Sequence, residues 1–370
     1  MQPTTAPSIV LTEKVIQQIR ENSAESELLG QLHPRILELI YEQRWFHLFV
    51  PRDFGGLGLD LIEALRLEEA LAWADGSLGW TVTLCSGASW FIGFLPQEIS
   101  TSILKDPMAC LAGSGSIGGI ARQTEFGYEV SGQWNYATGA PHATVFTANC
   151  RIEKGSASLN SDNEEAPVVK PFWFWRHEVS LSNNWKTIGM VGTASKGFFI
   201  KHLFVPKESC FEIDPQKAVL PQLVFRFPFL QFAEATLAVN IAGMAKHFLD
   251  CCEDLITQRK GKTPISGILN EESNQSQLLL EKQRTLFYRT IEEAWNQLAI
   301  DGEIGSTVLQ QVSEVSINLA IQSREIVDRV YPYCGLYAAN PETEINRVWR
   351  DLHTASQHSL LVRNIEKSVA

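Results

Sequence analysis

The sequence lacks several features that would assign it to a common functional class. Its 370 residues include seven cysteines, but no Cys-x-x-Cys pair and no cysteine–histidine spacing typical of zinc sites, so no disulfide framework and no metal are predicted. No apolar run approaches the roughly 20 residues that span a bilayer. The opening residues, MQPTTAPSIVLTEK, have neither region of a secretion signal. A reduced, cytoplasmic setting is expected.

Positive charge is also scarce. The sequence has 31 lysines and arginines against 42 aspartates and glutamates, and its formal net charge is −11. Nucleic acids and anionic membranes attract basic surfaces, so neither partner is expected. A strand–Gly-x-Gly-x-x-Gly–helix unit for a nicotinamide cofactor is missing as well. The expected partner is a small-molecule substrate.

Hydrophobic periodicity predicts an α+β fold in three parts. Helical three- and four-residue steps dominate both ends of the chain, whereas a period of two marks strands in the middle. The predicted parts are an N-terminal helical domain over 1–108, a central β-barrel or sandwich domain over 109–215, and a C-terminal four-helix bundle over 216–370. The bundle helices are expected at about 225–262, 275–300, 305–331 and 342–367.

The segment LGWTVTLCSGASWFIGFL predicts a helix that is apolar nearly all round and therefore buried between neighbours. Asp75-Gly76 ends the preceding helix, and Ser77 is the expected N-cap of the next one. Its aromatic residues either line an aromatic pocket or pack in the core, and the pattern leaves both open: Trp80, Trp90, Phe91 and Phe94.

Two loops rich in small residues are predicted at strand ends in the β region. They cover Thr138–His142 and Gly192–Ser195. Backbone amides and small hydroxyls in such loops let a flat, polar-edged ligand approach closely. These loops are the first candidate binding site.

Six motifs, in their order along the chain, carry a resemblance to a known superfamily: PRDFGGLGLD, EEALAWADGSLGW, VSGQWNYATGAPHA, WKTIGMVGTAS, FVP and RVWRDLHTASQH. The chain resembles the acyl-CoA dehydrogenase superfamily over almost its whole length. The resemblance implies a flavin between the β domain and the bundle, with FAD favoured over FMN. It also implies a homotetramer or homodimer, since these flavoproteins are typically homotetramers.

The resemblance implies flavin contacts in three segments. The aromatic-x-Thr strand end would lie against the ring, where a hydroxyl stabilises the electron-rich reduced form. A second segment would cover the other edge, and a Thr-x-Ser pattern typical of the oxygen-using branch supplies the third. The residues so implied are Gly113, Ser114, Ser116, Tyr136, Ala137, Thr138, Thr193 and Ser195.

The C-terminal motif separates two branches of the superfamily. Most dehydrogenases place a catalytic Glu shortly after their Arg-Asp pair, but the stretch from Arg350 to Ser359 contains no Glu. The spacing from Arg350 to His358 looks like that of two-component flavin monooxygenases, which receive reduced flavin from a separate reductase. An imidazole there can deprotonate a phenol or donate a hydrogen bond, and His142 would be a second donor. Arg350 and Asp351 point in different directions on a helix and are expected to anchor the bundle.

Two other functions stay open at the level of sequence. One is an FAD-dependent acyl-CoA dehydrogenase with Glu234 as its base, because a minority of the dehydrogenases carry that residue on the first bundle helix. The other is a homologue without flavin that acts as a binding protein, suggested by the altered glycine loops. The leading hypothesis is a reduced-flavin-dependent monooxygenase that acts on a small aromatic or heterocyclic substrate.

Overall fold

The structure is a computed structural model that describes residues 5–153, 167–259 and 265–362. The described front of the chain has five α-helices, and the fourth, the buried helix expected from its apolar sequence, packs on the third. Their bounds are α1 Glu13–Leu29, α2 Pro34–Gln43, α3 Leu61–Ala74, α4 Gly76–Ser89 and α5 Gln97–Leu104.

The junction between α3 and α4 is made by one residue. Asp75 is both the C-cap of α3 and the N-cap of α4, where its Oδ1 accepts from Leu78 N at 2.8 Å. The prediction of Ser77 as N-cap was therefore wrong by two residues. A carboxylate at this position satisfies orphan helix amides as a serine would.

The central region is one six-stranded sheet with the order β4-β3-β1-β2-β6-β5. β1 and β3 run parallel, and the other neighbours are antiparallel. One face buries an aromatic cluster around Trp134, whose ring stacks on Phe198 at 5.1 Å. The strands are β1 Leu111–Gln123, β2 Gly127–Ala137, β3 Val145–Glu153, β4 Val169–Trp175, β5 Ser180–Ser182 and β6 Lys196–Pro206.

The C-terminal part is the predicted bundle, with two differences at helix ends. The second helix starts about ten residues earlier than expected, and the last one ends at Ala355 instead of 367. The first few residues of the expected connection, 261–264, lie outside the described residues. The helices are α6 Phe229–Arg259, α7 Ile265–Asp301, α8 Ser306–Val330, the short α9 Leu336–Ala339 and α10 Glu344–Ala355.

A buried ion pair joins the front helices to the bundle. The Arg284 guanidinium on α7 donates to both carboxylate oxygens of Glu69 on α3, at 2.6 and 2.9 Å, and Tyr288 donates to the same carboxylate at 2.8 Å. A charge buried this deeply has to be paired and fully hydrogen-bonded. The contact fixes α7 against α3 and keeps the helical regions in register. Within the described ranges, no helix is both long and apolar enough to cross a membrane.

Candidate functional site

The end of β2 lies against the buried helix α4. Thr138 follows the strand, is 4% exposed, and its carbonyl accepts from Cys85 Sγ at 3.6 Å. Gly139 has φ +73, and a side chain there would come within 2.6 Å of Cys85 Sγ. Glycine is required because the turn is both left-handed and pressed against the helix.

The structure brings the two predicted loops together through a chain of buried hydroxyls. Thr138 Oγ1 lies 2.8 Å from Ser195 Oγ, which lies 2.7 Å from Thr193 Oγ1, and Thr193 donates to the Met190 carbonyl at 2.8 Å. Gly139 N also donates to the Thr193 carbonyl at 3.0 Å. Three of the predicted cofactor residues therefore form one connected unit.

Tyr136 is turned out of the sheet just before this unit. Its φ is +66 and its side chain is 63% exposed, with Trp185 edge-on at 5.6 Å. The β2–β6 register shifts between Trp134 and Ala137. A positive φ is uncommon for a residue other than glycine and costs free energy, so this conformation marks a locally strained position. The expected period-two burial fails here, and an aromatic surface is presented instead.

The segment that the resemblance implies at the other edge of the flavin was expected to be a loop, but Gly113, Ser114 and Ser116 lie within strand β1. The β1–β3 pairing is irregular between Ser114 and Gly119, and this part of the strand is exposed. A side chain at Gly115 would meet nothing within 4 Å. The irregular strand therefore presents small hydroxyls to an open space, and their contact with a flavin stays a prediction.

His358 was expected on the last bundle helix but lies beyond it, because α10 ends at Ala355 and a short turn follows. Its ring is not turned to bulk water and makes an edge contact with Trp80 of α4 at 5.9 Å. Burial lowers the pKa of the imidazole. Nδ1 accepts from Leu360 N at 3.3 Å, so the neutral ring carries its proton on Nε2.

His142 lies on the loop that follows Thr138 and is held by its own backbone, with N donating to the Gly139 carbonyl at 2.8 Å. Burial and the nearby Lys196 lower the pKa of the imidazole to about 4. Nε2 is buried and has no hydrogen-bond partner among the described residues. A neutral ring with an unsatisfied nitrogen calls for a ligand or water there.

Glu234 is buried on α6, 5% exposed. Helix α6 runs antiparallel to α4. Before Glu234, Phe232 contacts Trp90, which follows α4, and after it Asn240 contacts Thr83 in the middle of α4. Glu234 therefore lies level with the last turn of α4, far along that helix from Trp80 and His358. The structure does not bring Glu234 to the hydroxyl chain.

Helix α10 anchors the loop that carries Thr193 and Ser195, as expected for Arg350 and Asp351. Met190 N donates to Asp351 Oδ1, and Arg350 donates to the Ile188 carbonyl at 2.7 Å and to Glu27. A side chain at Gly189 would overlap the Arg350 carbonyl. No sequence pattern pointed to Met190 or Glu27, because only the folded chain brings them to α10.

The chain's own groups fit a flavin in this region. The hydroxyl chain, the exposed Tyr136 ring, the open stretch of β1 and the orphaned His142 nitrogen lie at one end of the sheet, beside α4 and α10. Flavin has an apolar face and a polar edge, and these groups supply partners for both.

The architecture defines the chain as an acyl-CoA dehydrogenase fold. Residues 235–363 match the family described as "Acyl-CoA dehydrogenase, C-terminal domain". This match includes the last of the six motifs, and the relatives that carry the rest of the resemblance match almost the whole chain.

Among curated relatives, indole-3-acetate monooxygenase of Pseudomonas putida is 23% identical over 362 residues, 94% of this chain and 89% of the relative. The solved HsaA monooxygenase of M. tuberculosis has a TM-score of 0.86 at 21% identity, covering 96% of this chain and 94% of that one. XiaF from Streptomyces sp., solved with FADH2 and glycerol, has a TM-score of 0.82 at 19% identity, covering 94% and 89%. These comparisons confirm the fold class. They favour the flavin-dependent monooxygenase interpretation over the dehydrogenase and the flavin-less alternatives.

Proposed function

We propose that this protein is the oxygenase component of a two-component flavin-dependent monooxygenase acting on a small aromatic or heterocyclic substrate. The observation that carries the proposal is the half-buried His358 ring, which contacts Trp80 of α4 at 5.9 Å. The same helix contacts Thr138 and Gly139 through Cys85. An imidazole, not a carboxylate, occupies this position. That choice suits a reaction in which the site must stay uncharged.

One set of side chains would bind the flavin, and His358 would donate a hydrogen bond at the reacting atoms. Thr138, Ser195 and Thr193 would hold the polar edge of the flavin, and Tyr136 with the open part of β1 would cover its face. When bound, reduced flavin supplies the electrons that activate dioxygen, one atom of which is inserted into the substrate. His358 in its neutral form offers an Nε2–H donor, which can hydrogen-bond an oxygen atom that gains negative charge. The geometry favours this donor role over that of a base.

One face of α4 is the proposed substrate surface. The helix is buried, yet Leu84 and Gly87 are half-exposed and share a face with Trp80. Phe91, in the short 3-10 helix that follows α4, is half-exposed as well. A side chain at Gly87 would meet nothing within 4 Å. Phe91 packs on Phe229 at 5.4 Å and closes the far end. An apolar groove with aromatic walls and a histidine at one end suits a flat ring with a polar substituent.

The finer assignments are part of the same proposal. FAD is favoured over FMN, a separate reductase would deliver the reduced flavin, and the assembly would be a homotetramer or homodimer in the cytoplasm. The relatives support the first two, since XiaF is solved with FADH2 and HsaA of Mycobacterium tuberculosis is described as an oxygenase subunit. The three-domain division at 108 and 215 stays a prediction.

The test supplies chemically reduced FAD, labelled dioxygen and a panel of phenols and indoles to the purified protein. We expect oxygen uptake with label in a hydroxylated product, and none with a reduced nicotinamide alone. Thr138→Val, which removes the first hydroxyl of the buried chain, should weaken reduced-flavin binding.

Two outcomes would contradict the proposal. Bleaching of oxidised flavin by an acyl thioester under anaerobic conditions, abolished by Glu234→Gln, would establish the dehydrogenase. A protein that binds neither reduced FAD nor reduced FMN would establish the flavin-less alternative.

A further inference from the structure

A second cluster of chemically competent side chains lies where α6 meets the start of α10. His247 and Cys251 are four residues apart on α6 and so share one face, and Glu344 is the first residue of α10. His247 Nε2 is 3.0 Å from Glu344 Oε1. One donor atom from each of the three side chains lies within 4.8 Å of the other two.

The described neighbours of His247 satisfy only one of its two ring nitrogens. His247 is 2% exposed, and its Nδ1 is buried without a hydrogen-bond partner in the described parts of the chain. The hydrogen bond to Glu344 uses one ring nitrogen alone, and it lowers the pKa of Glu344 to about 2. Because Nε2 already faces the Glu344 carboxylate, a cation bound by both would take the place of the proton between Nε2 and Oε1. Nδ1, on another side of the ring, would then be left to a water molecule.

The donor set is one nitrogen, one sulfur and one oxygen, which is a combination that zinc accepts. Tetrahedral zinc places such donors about 3.4 Å apart, given metal–ligand distances of about 2.1 Å. The donor atoms lie up to 4.8 Å apart, so binding would require the side chains to turn toward one another. A divalent cation with one thiolate and one carboxylate is neutral, which suits a half-buried position.

The other charges that face the cluster are of both signs. The guanidinium groups of Arg20 and Arg347 lower the pKa of Glu344. The carboxylates of Asp250 and Asp254 raise the pKa of Cys251, whose thiol is already kept protonated by burial. A bound cation would displace that proton to solvent, because metal ions bind the thiolate.

We propose that His247, Cys251 and Glu344 form a binding site for a zinc-type divalent cation, with solvent as the fourth ligand. Sequence spacing did not reveal it, because Glu344 lies far along the chain from the other two. The cation would tie the first turn of α10 to α6. Helix α10 also holds the Met190 loop through Asp351, and His358 follows it. The cation would therefore stabilise the proposed flavin site without taking part in its chemistry.

The test uses full-length, tag-free protein stripped of metal by a chelator and then titrated with Co²⁺, and separately with Zn²⁺. Cobalt bound by a thiolate has a charge-transfer band in the near ultraviolet, which reports Cys251 directly. We expect one equivalent of Co²⁺ with that band, displaced by Zn²⁺, and a raised thermal midpoint when Zn²⁺ is present. Cys251→Ser should abolish the band and the thermal shift, whereas Cys210→Ser, a half-buried cysteine of the β region, should keep both.

Glu344→Gln is the second variant, because it keeps the shape of the side chain and removes its charge. It should weaken Co²⁺ binding at least about tenfold while the far-ultraviolet circular dichroism stays that of the wild type. Absence of the thiolate band in the wild type overturns the proposal. So does a band of equal strength in Cys251→Ser. Neither result depends on flavin or on oxygenase activity, so this site and the proposed function fail independently.

Discussion

His358 shows how a single residue acquires its chemistry from the fold. The sequence offers an imidazole eight positions after Arg350, which is compatible with a base or a donor. The turn after α10 places Leu360 N on Nδ1 and leaves Nε2–H as the free group. Burial keeps the ring neutral by lowering its pKa.

The donor role can be tested at this residue with two substitutions. His358→Gln can still place an N–H near the former Nε2, whereas His358→Leu fills similar space and donates nothing. We expect kcat/KM for product formation to fall less than about tenfold in the first and about 10²- to 10³-fold in the second. The measurement is labelled-product formation with supplied reduced FAD.

A base role would give a different pattern, with both variants equally impaired and activity restored by raising the pH. In the wild type, the acid limb of the kcat/KM profile should lie below the ordinary histidine pKa of about 6.5. The reason is that burial favours the neutral imidazole, so protonation requires a lower pH.

The sequence predicted which residues lie in the candidate site, but it did not predict how they contact one another. Thr138, Thr193 and Ser195 were predicted as separate contacts, and their connection through 2.7 and 2.8 Å hydroxyl pairs depends on two strands being adjacent. Tyr136 was predicted at the end of a strand, but only the register shift after Trp134 explains why its ring is turned outward. Local pattern contains no information on such long-range register.

At the scale of elements, α4 is the helix around which the site is built. Its apolar sequence predicted burial correctly, and two of its glycines have opposite surroundings. A side chain at Gly79 would overlap the Ala72 backbone on α3, whereas one at Gly87 would point into open space. The first glycine exists for close packing, and the second keeps the proposed substrate groove open.

These two glycines form a matched pair for a prediction. Gly87→Ala should raise the free energy of unfolding by about 0.5–1 kcal/mol, because alanine is the better helix former. Gly79→Ala should lower it by roughly 1–3 kcal/mol, because α3 has to move. Denaturant titration of the two variants gives both values.

Gly87→Leu extends the same experiment to function. It should fill the groove and lower kcat/KM for aromatic substrates at least about tenfold while reduced-flavin binding stays unchanged. Full activity in a folded Gly87→Leu variant would show that the groove along α4 does not hold the substrate.

Helix ends were the least predictable part of the elements. The C-terminal helix was expected to reach 367, since residues up to that point continue a helical pattern, but it ends at Ala355. The second bundle helix was expected at 275 and already runs from Ile265, through serine, glycine and asparagine residues. Tertiary packing of α7 on α8 overrides such local preferences.

At the scale of the whole molecule, the three regions meet at Asp351. This α10 carboxylate accepts from Met190 N of the β region, and its Cβ is 3.2 Å from where a side chain on Gly76 of α4 would lie. Burial and the charge of Asp75 raise the pKa of Asp351 to about 7, although the Met190 amide and Arg347 act in the opposite direction. Glu27 adds a smaller upward contribution.

The junction therefore predicts a dependence of stability on pH. The folded protein holds a proton on Asp351 that the unfolded chain, with an ordinary pKa of 3.8, releases. The contribution of Asp351 to stability is fully present below pH about 4 and is lost as the pH rises through about 7, by on the order of a few kcal/mol. Unfolding midpoints measured from pH 5 to 8 should fall more steeply in the wild type than in Asp351→Asn.

The Asp351→Asn variant would keep the side-chain oxygen that accepts from Met190 N but could not become charged, so the two curves should diverge toward alkaline pH. Asp53→Asn, at an exposed turn, is the control and should follow the wild type. Parallel curves for the wild type and Asp351→Asn would contradict the prediction.

The sequence by itself determined the kinds of elements and their order, because apolar periodicity and turn residues act over a few positions. It also determined that an imidazole and no glutamate follows the Arg350-Asp351 pair. Only the tertiary structure decided that Thr138 meets Ser195, that His358 lies against Trp80, and that His247 and Cys251 converge with Glu344. Those outcomes depend on contacts between residues tens to hundreds of positions apart, which are fixed by packing and register.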